Sequence, residues 1–228
     1  MAYTGIQPII VSYLNNKTIK SNFFLLPIII GILFPDIDVI FALIGTLFYD
    51  DSISLYLFTN KATHSFIMII LFYVVGLIFK EITKKQKPII ITQGIIIGIT
   101  IHIVFDVIFS NQNIYILWPL NISFNILKNL FLLDNYTKLL QVFDFLFFRF
   151  YGWYLIKQLI SKPTNNIIYT KIITTWMKIE LYFFIFMLIF SLITYNYFLM
   201  IWMILFSLSI SFALFLTYLI RNQFIVKK

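Results

Sequence analysis

The chain of 228 residues contains no cysteine, only two histidines and only two glutamates, and charged residues make up 11% of it. Without cysteine there are no thiolate metal ligands, no structural disulfides and no cysteine nucleophile, although this says nothing about compartment. The scarcity of charge, with 61% hydrophobic and 20% aromatic residues and a mean hydropathy of +0.95, lies far outside the range of soluble globular domains. The strict alternation of an outer-membrane barrel is missing, because the apolar runs are continuous Ile, Leu and Phe. No GxSxG elbow or HExxH pair is present, and Glu81 and Glu180 are read at the cytoplasmic ends of spans. The N-terminus shows no short apolar stretch followed by a small-residue cleavage site, so no removable signal peptide is expected.

What is there is a set of long greasy runs. A hydrocarbon core about 30 Å thick takes roughly 20 apolar residues per helical crossing. Six runs approach that length, at 23–48, 63–79, 88–109, 139–157, 179–196 and 198–220. The fold class expected is all-α: a polytopic helical membrane protein of about six spans. The last two runs are one stretch, divided near Tyr195-Asn196-Tyr197 because it is twice what one crossing needs.

The +8 charge reports topology, not nucleic acid, since the lysines are scattered singly between apolar runs. Placing Lys80, Lys84, Lys85 and Lys87 in the cytoplasm puts Lys17, Lys20, Lys157, Lys162, Lys171, Lys178, Arg221, Lys227 and Lys228 there as well. Only Lys61, Lys128 and Lys138 then fall outside, and both termini are cytoplasmic. An impermeant maleimide added from outside is expected to label Ser52→Cys and not Lys85→Cys; the reverse pattern would invert the topology. Segment 110–138 is broken by Pro119, Asn121, Asn125 and Lys128 and reads as a re-entrant or interfacial element over the outer mouth, with Trp118 at headgroup depth. Arg149, inside the fourth span, is expected to meet a carboxylate such as Asp144 or to line the same cavity as the other buried charges.

Against this background five ionisable residues stand out: Asp36 and Asp38 in FPDID, His64 in ATHS, and His102 and Asp106 in IHIVFD. Such groups inside apolar spans are costly unless they pair, bind an ion or line a wet cavity. His102 and Asp106 are i,i+4 and share a helical face. Asp36 and Asp38 would point to nearly opposite sides of an unbroken helix. Pro35 is expected to break it, push Phe34 toward extended geometry and start a second half-helix whose first turn aims both carboxylates at one centre. Each piece also has a plain reading: an intrahelical His–Asp hydrogen bond, a capped helix break, or Thr63 capping the second span beside an interfacial histidine. Together they suit Zn²⁺, with Mn²⁺ or Fe²⁺ as alternatives, more than an all-oxygen Ca²⁺ cage. Such an ion activates water for attack on an ester or phosphoester without a protein nucleophile, and an uncoordinated aspartate could serve as the base.

The order FPDID, ATHS, HxxxD and then LWPL (Leu117 to Leu120) resembles the YdjM-type family of membrane-bound metal-dependent hydrolases of bacteria and archaea, over roughly residues 1–160. That family is similar, remotely, to the superfamily of zinc-dependent phospholipase C and P1 nuclease. The resemblance implies a helical fold and phosphoester hydrolysis at a plasma (inner) membrane. It implies a metal site of Asp36, Asp38, His64, His102 and Asp106, with Asp36, Asp38 and Asp106 in catalytic roles and Thr63, Ser65 and Pro119 as motif neighbours. It divides the chain into a hydrolase-like membrane domain at 1–160 and, at 161–228, a cytoplasmic connector with a C-terminal transmembrane hairpin. Family members usually carry a histidine near the N-terminus and a His-Arg pair before Thr-His-Ser. Here the N-terminus reads AYTGIQP, and Asn60-Lys61 fills the second place, which points to one metal rather than several. Partners expected are the bilayer and a lipid or phosphoester substrate, with no nucleic acid. A degenerate relative that binds metal or lipid without turnover is the alternative, and a channel or transporter is a third reading.

Overall fold

The computed structural model describes residues 3–18, 22–110, 112–126, 134–160, 167–193 and 197–224, and among these it is helical throughout except for short turns and the segment 112–126. The helices are α1 (Gln7–Thr18), α2 (Asn22–Leu33), α3 (Asp38–Gly45), α4 (Asp51–Phe58), α5 (Phe66–Thr83), α6 (Lys87–Phe109), α7 (Asp134–Ile160), α8 (Ile167–Ile193), α9 (Phe198–Leu219) and the short α10 (Arg221–Phe224). Six segments are long and apolar enough to cross a membrane: Leu25–Gly45, Phe66–Thr83, Lys87–Phe109, Thr137–Ile160, Ile167–Ile193 and Phe198–Leu219. Helices are what such runs form in lipid, where every backbone polar group needs a partner within its own segment. Of the proposed turn at Tyr195-Asn196-Tyr197, residues 195 and 196 lie outside the described residues.

Three departures from the sequence expectation are informative. The fifth span starts at Ile167 rather than 179, because Lys171 and Lys178 lower the hydropathy without stopping the helix. Both lysines sit on its exposed face, so the helix continues beneath them. Glu180 therefore lies mid-helix and fully buried, not at a span end, and its Oε2 accepts from the Ser209 hydroxyl on α9 at 3.1 Å. Arg149 does not meet Asp144: its Nη1 donates to the Met177 carbonyl at 2.7 Å, and its guanidinium lies over the Trp153 ring. The helix carbonyl and the aromatic face offer the cation partners closer than any carboxylate among the described residues.

Two packed groups make the bundle. In one, α2 packs on α6 and α6 on α5; in the other, α7 packs on α8 and α9; α3 joins them by packing on α9. The core between them is aromatic and aliphatic, with Phe145, Phe148, Trp202 and Phe206 fully buried among Ile29 and Leu33. The α2–α6 contact is unusually close. A Cβ on Gly31 would overlap the Ile95 carbonyl, and one on Gly98 would overlap the Ile28 carbonyl, so two glycines let the backbones touch. Small residues serve this purpose in membranes, where helix association depends on packing rather than on expulsion of water. The contact brings the end of α2 against the second half of α6.

Candidate metal centre

The first span is interrupted where Pro35 falls. Helix α2 ends at Leu33, a single 3-10 turn covers Pro35–Ile37, and α3 restarts at Asp38. Phe34 stays helical, with φ −64° and ψ −45°, instead of becoming extended, and its amide still reaches the Ile30 carbonyl at 3.0 Å. The missing proline N–H is absorbed by tightening the chain to 3-10 geometry rather than by unwinding it. The rotation is enough to send Asp36 and Asp38 to opposite edges of the same imidazole, that of His64.

His64 ends a 3-10 turn, Ala62–His64, just before α5. Thr63 and Ser65 fix that turn. The Thr63 hydroxyl donates to Asp38 Oδ2 at 2.9 Å, and the Ser65 hydroxyl donates to the Ala62 carbonyl at 2.7 Å. Asp38 Oδ2 also accepts the Asn60 amide at 2.9 Å and stands 3.2 Å from His64 Nδ1. With the proton drawn to Nδ1 by that carboxylate, Nε2 presents its lone pair to the bundle interior.

Four atoms meet there. His64 Nε2 lies 3.2 Å from His102 Nε2, 3.2 Å from Asp106 Oδ2 and 3.7 Å from Asp36 Oδ1. His102 Nε2 lies 3.5 Å from Asp36 Oδ1 and 3.4 Å from Asp106 Oδ2. All four side chains are fully buried, and their ligand atoms fall within 4.8 Å of one another. An ion bonded to four N and O atoms at about 2.0–2.1 Å in tetrahedral geometry would hold them roughly 3.3–3.4 Å apart. The five separations just given bracket that value, and the sixth, between Asp36 and Asp106, lies within 4.8 Å. Asp36 Oδ2 takes the Thr4 hydroxyl, while Asp36 Oδ1, turned to the cluster, meets no hydrogen-bond donor among the described residues. Two imidazole nitrogens at hydrogen-bond distance between carboxylates require positive charge, either a proton or a cation. The donor set and its spacing fit a divalent metal.

Of the five residues singled out in the sequence, Asp36, His64, His102 and Asp106 form this group, and Asp38 stands behind it on the far edge of His64. Burial disfavours the charged imidazole of His64, but Asp38, then Asp106 and Asp36, outweigh it and hold the ring well above its ordinary value. Metal binding must therefore displace a proton, and it tightens as pH rises.

Three contributors carried little sequence signal. Thr4, in the N-terminal turn, holds Asp36. Asn60 holds Asp38 through its backbone, which no side-chain pattern announces. Asp144, buried on α7, takes the Tyr3 amide, in the turn next to Thr4; as a carboxylate inside a span it could have been set apart from Arg149.

Beside the His64 turn runs the segment 112–126, without helix and tied by one antiparallel bridge between Ile114 and Phe124; of the element read at 110–138, Lys128 lies outside the described residues and 134–138 already belong to α7. The Tyr115 amide donates to the Asn60 carbonyl, and the Ile116 carbonyl accepts from the first amide of α5, that of Phe66. This segment thus braces the turn that carries His64. Comparison with family models, characterised proteins and solved structures yields no match.

Proposed function

We propose that the chain is a membrane-bound, metal-dependent hydrolase acting on a phosphoester or lipid headgroup, in keeping with its resemblance to the YdjM-type family. The observation that carries this reading is the convergence of Asp36 Oδ1, His64 Nε2, His102 Nε2 and Asp106 Oδ2 at ligand spacing. Those four residues would hold the ion. Two imidazoles with two carboxylates favour Zn²⁺, with Mn²⁺ or Fe²⁺ as alternatives. Once bound, the ion supplies Lewis-acid activation of water and of the phosphoryl oxygen. The chain's own groups do the rest. Asp38 keeps His64 in the ligating tautomer, and its Oδ1, buried and with no hydrogen-bond partner among the described residues, is the carboxylate oxygen left to accept a proton. Thr4 fixes which oxygen of Asp36 faces inward.

One observation favours a second reading, a metal-binding relative without turnover. Four protein groups, all fully buried, would fill a four-ligand shell, as in structural sites, whereas catalytic sites keep one position open. The assay is product release from generic phosphodiesters and phospholipids, with and without chelator, by the wild type and by His102→Ala. The hydrolase reading expects slow, chelator-sensitive release that the variant lacks. Bound metal with no release from any of these esters would favour the second reading.

A further inference from the structure

A cavity of about 210 Å³ opens beside the metal centre, lined by Ser52, Tyr56, Thr59, Asn60, Gln112 and Tyr115 among others. One residue belongs to both. Asn60 adopts a left-handed backbone, φ 57°, uncommon outside glycine and easiest for asparagine and aspartate. That conformation lets its amide hold Asp38 while its side chain turns the other way, into the cavity, where Nδ2 donates to Gln112 Oε1 at 2.5 Å. Asn60 Oδ1 meets no donor among the described residues, although the residue is only 3% exposed. A buried amide oxygen without a partner is unfavourable, and a ligand with a suitable donor would remove that cost. At the rim stands a cation. Lys61 Nζ sits 4.2 Å from the centre of the Tyr56 ring and 5.6 Å from that of Tyr115, and both rings line the cavity. The phenol oxygens of the two tyrosines are 3.5 Å apart.

An ammonium at the mouth and an unfilled acceptor at the wall call for a ligand with an anion at one end and an O–H or N–H donor close to it. Helix α4, which contributes Ser52, Leu55 and Tyr56 to the lining, also exposes Ile53, Leu57 and Phe58, as expected where acyl chains lie. We infer that this cavity seats a phosphodiester headgroup bearing a hydroxyl or ammonium donor, its phosphate on Lys61 and its donor on Asn60 Oδ1. For the fate of the bound ester, though not for its binding, the inference rests on the hydrolase reading: the headgroup would lie one residue from the shell that holds His64.

The test is calorimetric titration of the full chain in maltoside micelles with dihexanoyl phosphatidylglycerol, phosphatidylethanolamine and phosphatidylcholine, and with the soluble diester glycerophosphoglycerol and inorganic phosphate. The first two lipids should bind, and phosphatidylcholine, whose quaternary nitrogen has no N–H, should bind at least about tenfold more weakly. Glycerophosphoglycerol binding as tightly as the lipids would keep the chemistry and make a soluble diester the source. Equal affinity for phosphatidylcholine, or inorganic phosphate as tight as any ester, would overturn the assignment. Lys61→Gln should lower affinity about tenfold with bound metal unchanged, and Asn60→Asp, which keeps size and backbone preference but repels phosphate, should lower it as well. Unchanged affinity in both variants contradicts the inference. Because binding is read without turnover, lipid that binds uncleaved counts against the hydrolase alone, and cleavage indifferent to Lys61 counts against the cavity alone.

Discussion

Replacing His102 by alanine is expected to lower metal affinity by far more than 100-fold and to leave the purified protein nearly free of metal, while Asp38→Asn should lower affinity only about 10- to 100-fold. The difference follows from position. His102 contributes one of four converging atoms, at 3.2–3.5 Å from the other three, and three ligands in a buried pocket cannot replace the fourth with bulk water. Asp38 touches the ion's surroundings only through His64 Nδ1, and a partner of this kind, which orients a ligand and raises its basicity, is worth about 10- to 100-fold. Metal content by elemental analysis and competition with a chromogenic chelator separate the two. Equal losses in both variants would place Asp38 among the ligands, as the sequence pattern alone suggests.

Gly98→Val is expected to remove bound metal although every ligand is retained, and to lower thermal stability in detergent. The added Cβ would overlap the Ile28 carbonyl, a backbone atom that cannot rotate away. Helices α2 and α6 must then separate, and Asp36 withdraws from His102 and Asp106, which sit one and two turns beyond Gly98 on the same helix. Overpacking typically costs about 1–3 kcal/mol. Lost ion binding adds to this, about 2.7 kcal/mol where free metal stands at 100 times its Kd. Gly98→Ala should show the same loss in milder form. Retention of full metal content by Gly98→Val would mean that the α2–α6 approach does not set the ligand geometry.

The six spans and the identity of the cluster were legible because lipid imposes a simple code: long apolar runs cross, and an ionisable residue inside one needs a reason. His102 and Asp106 could be placed on one face from their spacing alone. Asp36 and Asp38 could not be told apart, since which of them faces inward depends on whether Pro35 unwinds the helix or tightens it, and Phe34 proves to remain helical. The fifth span was read short because a hydropathy window falls at Lys171 and Lys178, whereas the backbone continues as long as its exposed face can carry charge. The partnership of Arg149 with a backbone carbonyl, and the support that Asn60 and Tyr115 give to the His64 turn, involve main-chain atoms present at every residue, so side-chain chemistry gives no hint of them.

The most direct measurement is X-ray absorption spectroscopy, with elemental analysis, on the full chain purified in mild detergent without chelator. One transition-metal ion per chain is expected, in a shell of nitrogen and oxygen that includes the four protein ligands at about 2.0–2.1 Å, with outer-shell scattering from two imidazoles. A metal-free preparation that stays folded and takes up no Zn²⁺, Mn²⁺ or Fe²⁺ on titration, or a shell without imidazole, would contradict a centre built from Asp36, His64, His102 and Asp106.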